Sequence, residues 1–142
     1  MKTRIRIILL LVLSVWAVAM LALSPRFVAA HRETKGVEQT FAEYTNSLVS
    51  QRFDDAYRQC GSDFRSAMPY QQFVNLYQSL QMEYGPLKSA RRSAYEVHGS
   101  GSPAVWRAVV DADLVYERKT ISFEFVFHKE GGRWVLFGAE QL

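Results

Sequence analysis

Two aspartates in the second half of the chain have a spacing that could support acid–base or metal chemistry. Asp111 and Asp113 are two residues apart, which in a β-strand places both carboxylates on one face. Paired carboxylates can exchange protons with a substrate or bind a divalent cation. Because charged side chains are mostly exposed, we expect these two on a solvated outer face. A one-residue bulge in the strand would instead turn both inward.

Two histidines end predicted strands and are the other candidates for metal ligands. His98 and His128 are accompanied by Glu96 and Glu124 on the same expected outer face. The histidines have no local ligand spacing of the kind that zinc sites use. The sequence therefore predicts no catalytic residue, no metal site and no bound cofactor.

The single cysteine, Cys60, lies on the apolar stripe of a short predicted helix. A free cysteine in such a place behaves as a small apolar side chain, and no base is adjacent in sequence to activate it. We expect it to be buried and unreactive. A disulfide to another chain stays open as the alternative outside the cytoplasm.

Aromatic residues with polar groups could line an interior pocket. Tyr57, Tyr77 and Trp106 are the candidate lining residues. At helical spacing tyrosines are more often core residues with the hydroxyl at the rim. A small-molecule-binding protein or an enzyme that uses this interior is the alternative function that the sequence leaves open.

Apolar residues at helical spacing predict that helices come first in the chain. The predicted helices run over about 34–50, 53–60 and 69–84. Thr34 is the expected N-cap of the first helix, and Gly61 is expected to end the second in a left-handed conformation. Gly85 and the proline after it end the third.

After Pro86 the apolar period falls to two, which predicts strands. The four predicted strands are Ser89–His98, Val105–Tyr116, Thr120–His128 and Arg133–Gly138. Short connections between them predict an antiparallel meander, and hence an α+β domain with three helices packed on a curved four-stranded sheet. Alternation assigns the phenylalanines of the third strand to the helix side. The opposite face is the predicted interaction surface, formed by Val105, Arg107, Val109, Asp111, Asp113, Glu124 and Val126.

The net positive charge of the chain arises from its first 30 residues. The chain has 17 Lys and Arg against 14 Asp and Glu, but four of the basic residues and none of the acids precede residue 31. The remainder has 13 basic and 14 acidic groups and so a net charge of −1. This excludes a nucleic-acid-binding function that rests on positive charge.

The first 30 residues have the pattern of a membrane signal anchor. A basic start precedes eighteen uncharged residues, 7–24, which as a helix would span about 27 Å. The basic start places the N-terminus in the cytoplasm and residues 37–142 outside it, in the periplasm if the cell is Gram-negative, after a polar linker at 31–36. A signal peptide cleaved after Val28-Ala29-Ala30 is the alternative, and it would release the domain to the periplasm.

Three segments resemble the nuclear transport factor 2-like, or cystatin-like cone, superfamily. They are Gln51–Tyr57 in the second helix, Tyr84–Ser89 at the turn into the sheet, and Arg133–Phe137 in the last strand. The resemblance covers about residues 36–140 and is closest to small bacterial secreted or anchored members. It implies a cone of helices and a curved sheet. Enzymes of this superfamily have an acid, histidine or tyrosine inside the cone, whereas the inward positions here are mostly aromatic or aliphatic.

Together these features predict a membrane-anchored, extracytoplasmic interaction module without catalytic activity. Its expected partners are the bilayer, through residues 7–24, and an envelope or integral membrane protein of which it would be an accessory subunit. A second copy of the chain is a further partner that the sequence allows.

Overall fold

A computed structural model describes residues 25–101 and 103–142, in which helices precede strands as the sequence predicts. The helices are α1 (Pro25–Val49), α2 (Phe53–Arg58), α3 (Ser62–Ala67) and α4 (Tyr70–Tyr84). The strands are β1 (Leu87–Ser100), β2 (Val105–Tyr116), β3 (Thr120–Glu130) and β4 (Arg133–Gln141). The prediction of an α+β fold is confirmed.

The sheet is an antiparallel meander in the order β1-β2-β3-β4, also as predicted. The register between β2 and β3 runs without interruption from Arg107 opposite His128 to Val115 opposite Thr120. Irregularities occur instead in β1, at Lys88 and near Ser93, and in β4. The inward turn of the β2 carboxylates that a bulge would cause therefore does not occur.

One face of the sheet is buried against aromatic side chains of the helices. The buried residues of β2 and β3 alternate along each strand: Ala108, Val110, Ala112, Leu114, Ile121, Phe123, Phe125 and Phe127. The Phe125 ring packs against Phe41 and Tyr44 of α1 at centroid distances of 5.8 and 5.9 Å. Burial of each such ring contributes about 1.5–3 kcal/mol, so this layer holds helices and sheet together.

Helix α1 begins earlier than predicted. Residues 31–36, the predicted linker, are helical, and the prediction of an N-cap at Thr34 is wrong because its hydroxyl donates a hydrogen bond to the Ala30 carbonyl oxygen at 3.0 Å inside the helix. The chain separates into two compact units with the boundary after Thr34, and residues 35–142 form the second unit.

The segment after α2 departs from the prediction. Helix α2 ends at Arg58, and Gly61 is extended, with φ −73°, and is not left-handed. A further short helix, α3, follows, which makes four helices in the described part of the chain. Gly85, with φ +82°, ends α4 as predicted.

Residues 59–61 cover part of the outer edge of β4. Cys60 forms a parallel bridge with Leu136. The Leu136 N–H donates to the Gln59 carbonyl at 2.8 Å, and the Gly61 N–H donates to the Leu136 carbonyl at 2.8 Å. This edge of the sheet is thereby partly closed.

The predicted anchor, residues 7–24, lies outside the described residues. Among the helices that are described, none is both long enough and apolar enough to cross a membrane.

Candidate functional site

The face of the sheet opposite the helices, here called the outer face, displays the residues that the sequence assigns to an interaction surface. Val105, Arg107, Val109, Asp111 and Asp113 alternate in β2 with buried residues. Glu124 and Val126 do the same in β3. The structure thus places all seven predicted residues on one face.

The middle of the outer face is apolar. Val109 lies directly opposite Val126, and Val126 lies opposite Gly138 of β4. We call these three residues the valine row. Val109 and Val126 are both half-buried, and on the β1 side of the row Glu96 lies opposite Val109.

An acidic row lies beside the valine row. Asp111 is opposite Glu124, and Glu124 is opposite Glu140. Like charges that face each other across strands destabilise a sheet by about 0.2–1 kcal/mol per pair. Within the described residues, no salt bridge joins any of these three carboxylates to a cation. The acidic row is a concentrated negative charge whose members repel one another.

A row of basic and imidazole groups lies on the other side of the valines. Arg107 is opposite His98 of β1 and opposite His128 of β3. His98 Nε2 lies 3.1 Å from Glu96 Oε2, and His128 Nε2 lies 3.1 Å from Glu130 Oε1. The outer face therefore has the valine row at its centre, the acidic row on one side, and on the other side a row in which Arg107 lies between two histidines that each contact a glutamate.

Asp111 and Asp113, whose spacing could support acid–base or metal chemistry, have different surroundings. The Ser122 hydroxyl donates to Asp113 Oδ1 at 2.7 Å, and the Arg91 guanidinium lies 3.9 Å from Asp113 Oδ2. Asp111 belongs to the acidic row. His98 and His128 are separated by Arg107, so the two imidazoles do not converge. Across 25–101 and 103–142, no group of three or more His, Cys, Asp or Glu side chains is placed to hold a metal ion.

The buried interior contains tyrosine hydroxyls that sequence reasoning did not pair. The hydroxyls of Tyr44 and Tyr77 lie 2.7 Å apart and share a hydrogen bond. Burial raises the pKa of both groups well above the usual value, so both stay protonated. Burial also raises the pKa of Tyr116 to about 12, and its hydroxyl has no hydrogen-bond partner among the described residues.

The predicted pocket-lining residues are placed in two regions. Tyr57 and Tyr77 both pack against the Phe73 ring, at centroid distances of 5.3 and 5.0 Å. The Tyr57 hydroxyl donates to the Met68 carbonyl at 3.0 Å, which ties it to the chain before α4. Trp106 lies on the β1–β2 hairpin with its ring over Gly99. These three side chains act as packing residues in this arrangement.

Cys60 is fully buried, as predicted. Burial raises the pKa of its thiol to about 12, and the sulfur lies 3.7 Å from the Ala56 carbonyl oxygen. The thiolate that nucleophilic chemistry needs is therefore scarce at neutral pH.

Sequence reasoning missed Gly138 and Glu140 as parts of the outer face. The register between β3 and β4 shifts after Val126, so that Phe137 of β4 has no partner in β3. This shift places Gly138 opposite Val126 and Glu140 opposite Glu124. A pattern of alternation along β4 alone does not reveal it, because the shift depends on pairing with β3.

Comparison with known proteins finds no family model that matches the sequence and no curated protein that matches it. The functional argument therefore rests on the residues and their geometry.

Proposed function

We propose that this chain is a non-catalytic interaction module that residues 7–24 hold at a membrane, with the domain outside the cytoplasm and its outer face bound to another membrane or envelope protein. In this role it is an accessory subunit of a membrane complex. Residues 1–30 support the anchor by their charge pattern and the length of the apolar run. The order of helices and strands supports a relation to the nuclear transport factor 2-like superfamily.

The observation that carries this proposal is the valine row, which lies between the acidic row and the row formed by Arg107, His98 and His128. Binding surfaces typically have an apolar centre that loses its water and a polar rim that stays hydrated. Val109 and Val126 supply such a centre. The flanking charges orient a partner, because a wrong orientation would bring like charges together.

The acidic row indicates the chemistry of the partner. Three carboxylates that repel each other in the free protein gain more from a cationic partner than isolated acids would. We therefore infer a partner that presents Lys or Arg next to an exposed apolar side chain. Added salt should weaken this binding, because at about 0.1 M ionic strength exposed charges more than about 10 Å apart are largely screened from each other.

The proposal is tested by purifying the full chain with its partner from native membranes in mild detergent. Val109→Lys places a charge in the apolar centre, and we expect the partner to be lost. Met82→Lys is the matched control, because Met82 is 76% exposed on α4, outside the outer face, and this variant should keep the partner. If Val109→Lys retains the partner as fully as Met82→Lys does, the outer face is not the binding site.

A second candidate function, binding of a small molecule in the interior, is favoured by one observation. The buried Tyr116 hydroxyl lacks a hydrogen-bond partner in the described part of the chain, and such groups usually have one. A ligand with a polar atom could supply it. If this function is correct, Tyr116→Phe abolishes retention of a small molecule that native mass spectrometry detects in the unmodified protein.

A further inference from the structure

The second half of β1 is an open sheet edge. From Ala94 to Ser100 the strand pairs with β2 on one side only. Its other side has no backbone hydrogen bond to any described residue. We call residues 94–100 the open edge. The edge at β4 differs, because residues 59–61 bond to Leu136 there.

The first half of β1 has the features that prevent strands from pairing, and the open edge lacks them. Residues 87–93 contain Lys88, Arg91 and Arg92 and both irregularities of the strand. Charges and bulges of this kind discourage a second strand from adding to an edge. The open edge has a regular register, no proline and no Lys or Arg. A regular, accessible edge of this length is a template for another strand.

The side chains of the open edge complement themselves. When two copies of residues 94–100 are aligned antiparallel with Val97 at the centre, Val97 faces Val97. In the same alignment Glu96 faces His98, and Tyr95 faces Gly99, each twice. We propose that the open edge pairs with the open edge of a second copy around a two-fold axis at Val97, which joins two four-stranded sheets into one of eight strands. This inference goes beyond the binding of a different protein at the outer face.

Each cross-strand pair in this alignment has a physical basis. Glu96 and His98 already form a hydrogen bond of 3.1 Å within one chain, so the same groups can form hydrogen-bonded pairs across the axis. Tyr95 is 40% exposed, and the Arg92 guanidinium lies over one face of its ring at 4.4 Å from the centroid, which leaves the other face for contact. Gly99 has no side chain, and the Trp106 ring lies over it. Tyr95 of the second copy would therefore pack on an aromatic surface.

Neighbouring alignments are worse. Centring the pair on Glu96 brings two carboxylates face to face, which destabilises the pairing. Centring it on His98 places Glu96 opposite Ser100 and removes both Glu96–His98 pairs. Centring it on Tyr95 brings Ser93, at the irregular part of β1, into the ladder. Of these alignments, the one at Val97 is the one in which both Glu96 carboxylates meet an imidazole.

Cysteine cross-linking of the full chain in mild detergent tests the alignment. Residues directly opposite in an antiparallel pair have Cα atoms about 4.5–5.5 Å apart, which a disulfide can span. Val97→Cys should therefore form a covalent dimer under mild oxidation. The unmodified chain should not, because Cys60 is fully buried. Circular dichroism checks that each variant is folded.

Two further variants test the register itself. Ala94→Cys alone should stay monomeric on a denaturing gel, because its own counterpart would be about 20 Å away at 3.4 Å per residue. A mixture of Ala94→Cys and Ser100→Cys chains should cross-link, because these positions face each other. Sedimentation should also show about tenfold weaker dimerisation for His98→Glu, and recovery when Glu96→Lys is added.

The proposal is overturned if Val97→Cys stays monomeric, or if Ala94→Cys cross-links to itself as readily. It is also overturned if Val109→Cys cross-links efficiently while Val97→Cys does not, since the two copies would then meet at the outer face. Self-cross-linking of Val109→Cys would also bear on the proposed function, because the outer face would then contact a second copy. The other results leave the partner lost by Val109→Lys untouched, so the two proposals can fail separately.

Discussion

At the scale of single residues, the buried hydroxyl and thiol groups lie within the packed core. The Tyr44–Tyr77 hydrogen bond satisfies two hydroxyls in the middle of the aromatic core. A buried polar group without a partner costs about 1–3 kcal/mol, so this pair matters more than its single bond suggests. The Tyr116 hydroxyl has no such bond among the described residues.

Tyr77→Phe should lower the free energy of unfolding by about 1–3 kcal/mol, because it leaves the Tyr44 hydroxyl unpaired in the core. Urea denaturation measures this change. Tyr116→Phe is the matched control and should be neutral or slightly stabilising, because it removes a hydroxyl that has no described partner. Equal losses from the two substitutions would contradict the assignment of the hydrogen bond.

Cys60 should resist alkylation in the folded protein at pH 8. With a thiol pKa of about 12, only a small fraction is thiolate, and burial also blocks access. Unfolding in urea returns the pKa to its ordinary range of about 8.5 and should make labelling fast. Mass spectrometry of iodoacetamide-treated samples compares the two states. Labelling of the native protein at the unfolded rate would show that Cys60 is accessible.

At the scale of helices and strands, part of the architecture can be predicted from local sequence patterns. The bounds of β2, Val105–Tyr116, are as predicted, because alternation of apolar and polar residues is a local signal. Helix α3 was missed because six residues with one buried anchor, Phe64, have no measurable period. The Cys60–Leu136 bridge and the β4 irregularity arise from pairing between distant segments. Glu140 could therefore not be assigned to the acidic row from sequence.

Glu130 of β3 accepts hydrogen bonds from the start of α3, and the stability that these bonds contribute should depend on pH. Its carboxylate accepts hydrogen bonds from His128 and from the Ser62 backbone and hydroxyl, which lower its pKa below the usual value. Because the pKa of Glu130 is lower in the folded state than the unfolded value of about 4.3, the ionised carboxylate stabilises the fold above that pH. This stabilisation is lost as the pH falls through the folded-state pKa. Glu130→Gln should thus be less stable at pH 7, with the difference shrinking in acid. Thermal unfolding between pH 7 and 3 measures it, and a difference independent of pH would contradict the account.

The turn between α4 and β1 depends on glycine at position 85. Its φ of +82° belongs to a region that only glycine adopts easily, and an added Cβ would lie 2.8 Å from the Glu117 Cβ. Gly85→Ala should therefore cost about 1–3 kcal/mol in urea denaturation. Gly138→Ala is the control, because a Cβ there meets open space, and it should change stability by less than about 0.5 kcal/mol. Equal effects would mean that the turn has no such constraint.

At the scale of the whole molecule, the domain has two surfaces with different expected partners. The outer face combines the valine row with the acidic row and suits a different protein. The open edge of β1 complements itself and suits a second copy. The valine row and the acidic row lie on β2, β3 and β4, whereas the open edge belongs to β1, and Glu96 and His98 border both surfaces. A partner confined to the valine and acidic rows could therefore bind together with a second copy. A dimer would then present two outer faces to a membrane complex and raise the effective concentration of each.

Site-specific photo-cross-linking in native membranes tests the interaction module most directly. A photoreactive residue at position 109 reports what lies against the valine row, and the same residue at the exposed position 82 reports chance encounters. We expect one discrete adduct to another membrane or envelope protein from position 109, absent from position 82 and reduced by Glu124→Lys. An outer face that yields no adduct, or the same mixture as position 82, would contradict the proposed function.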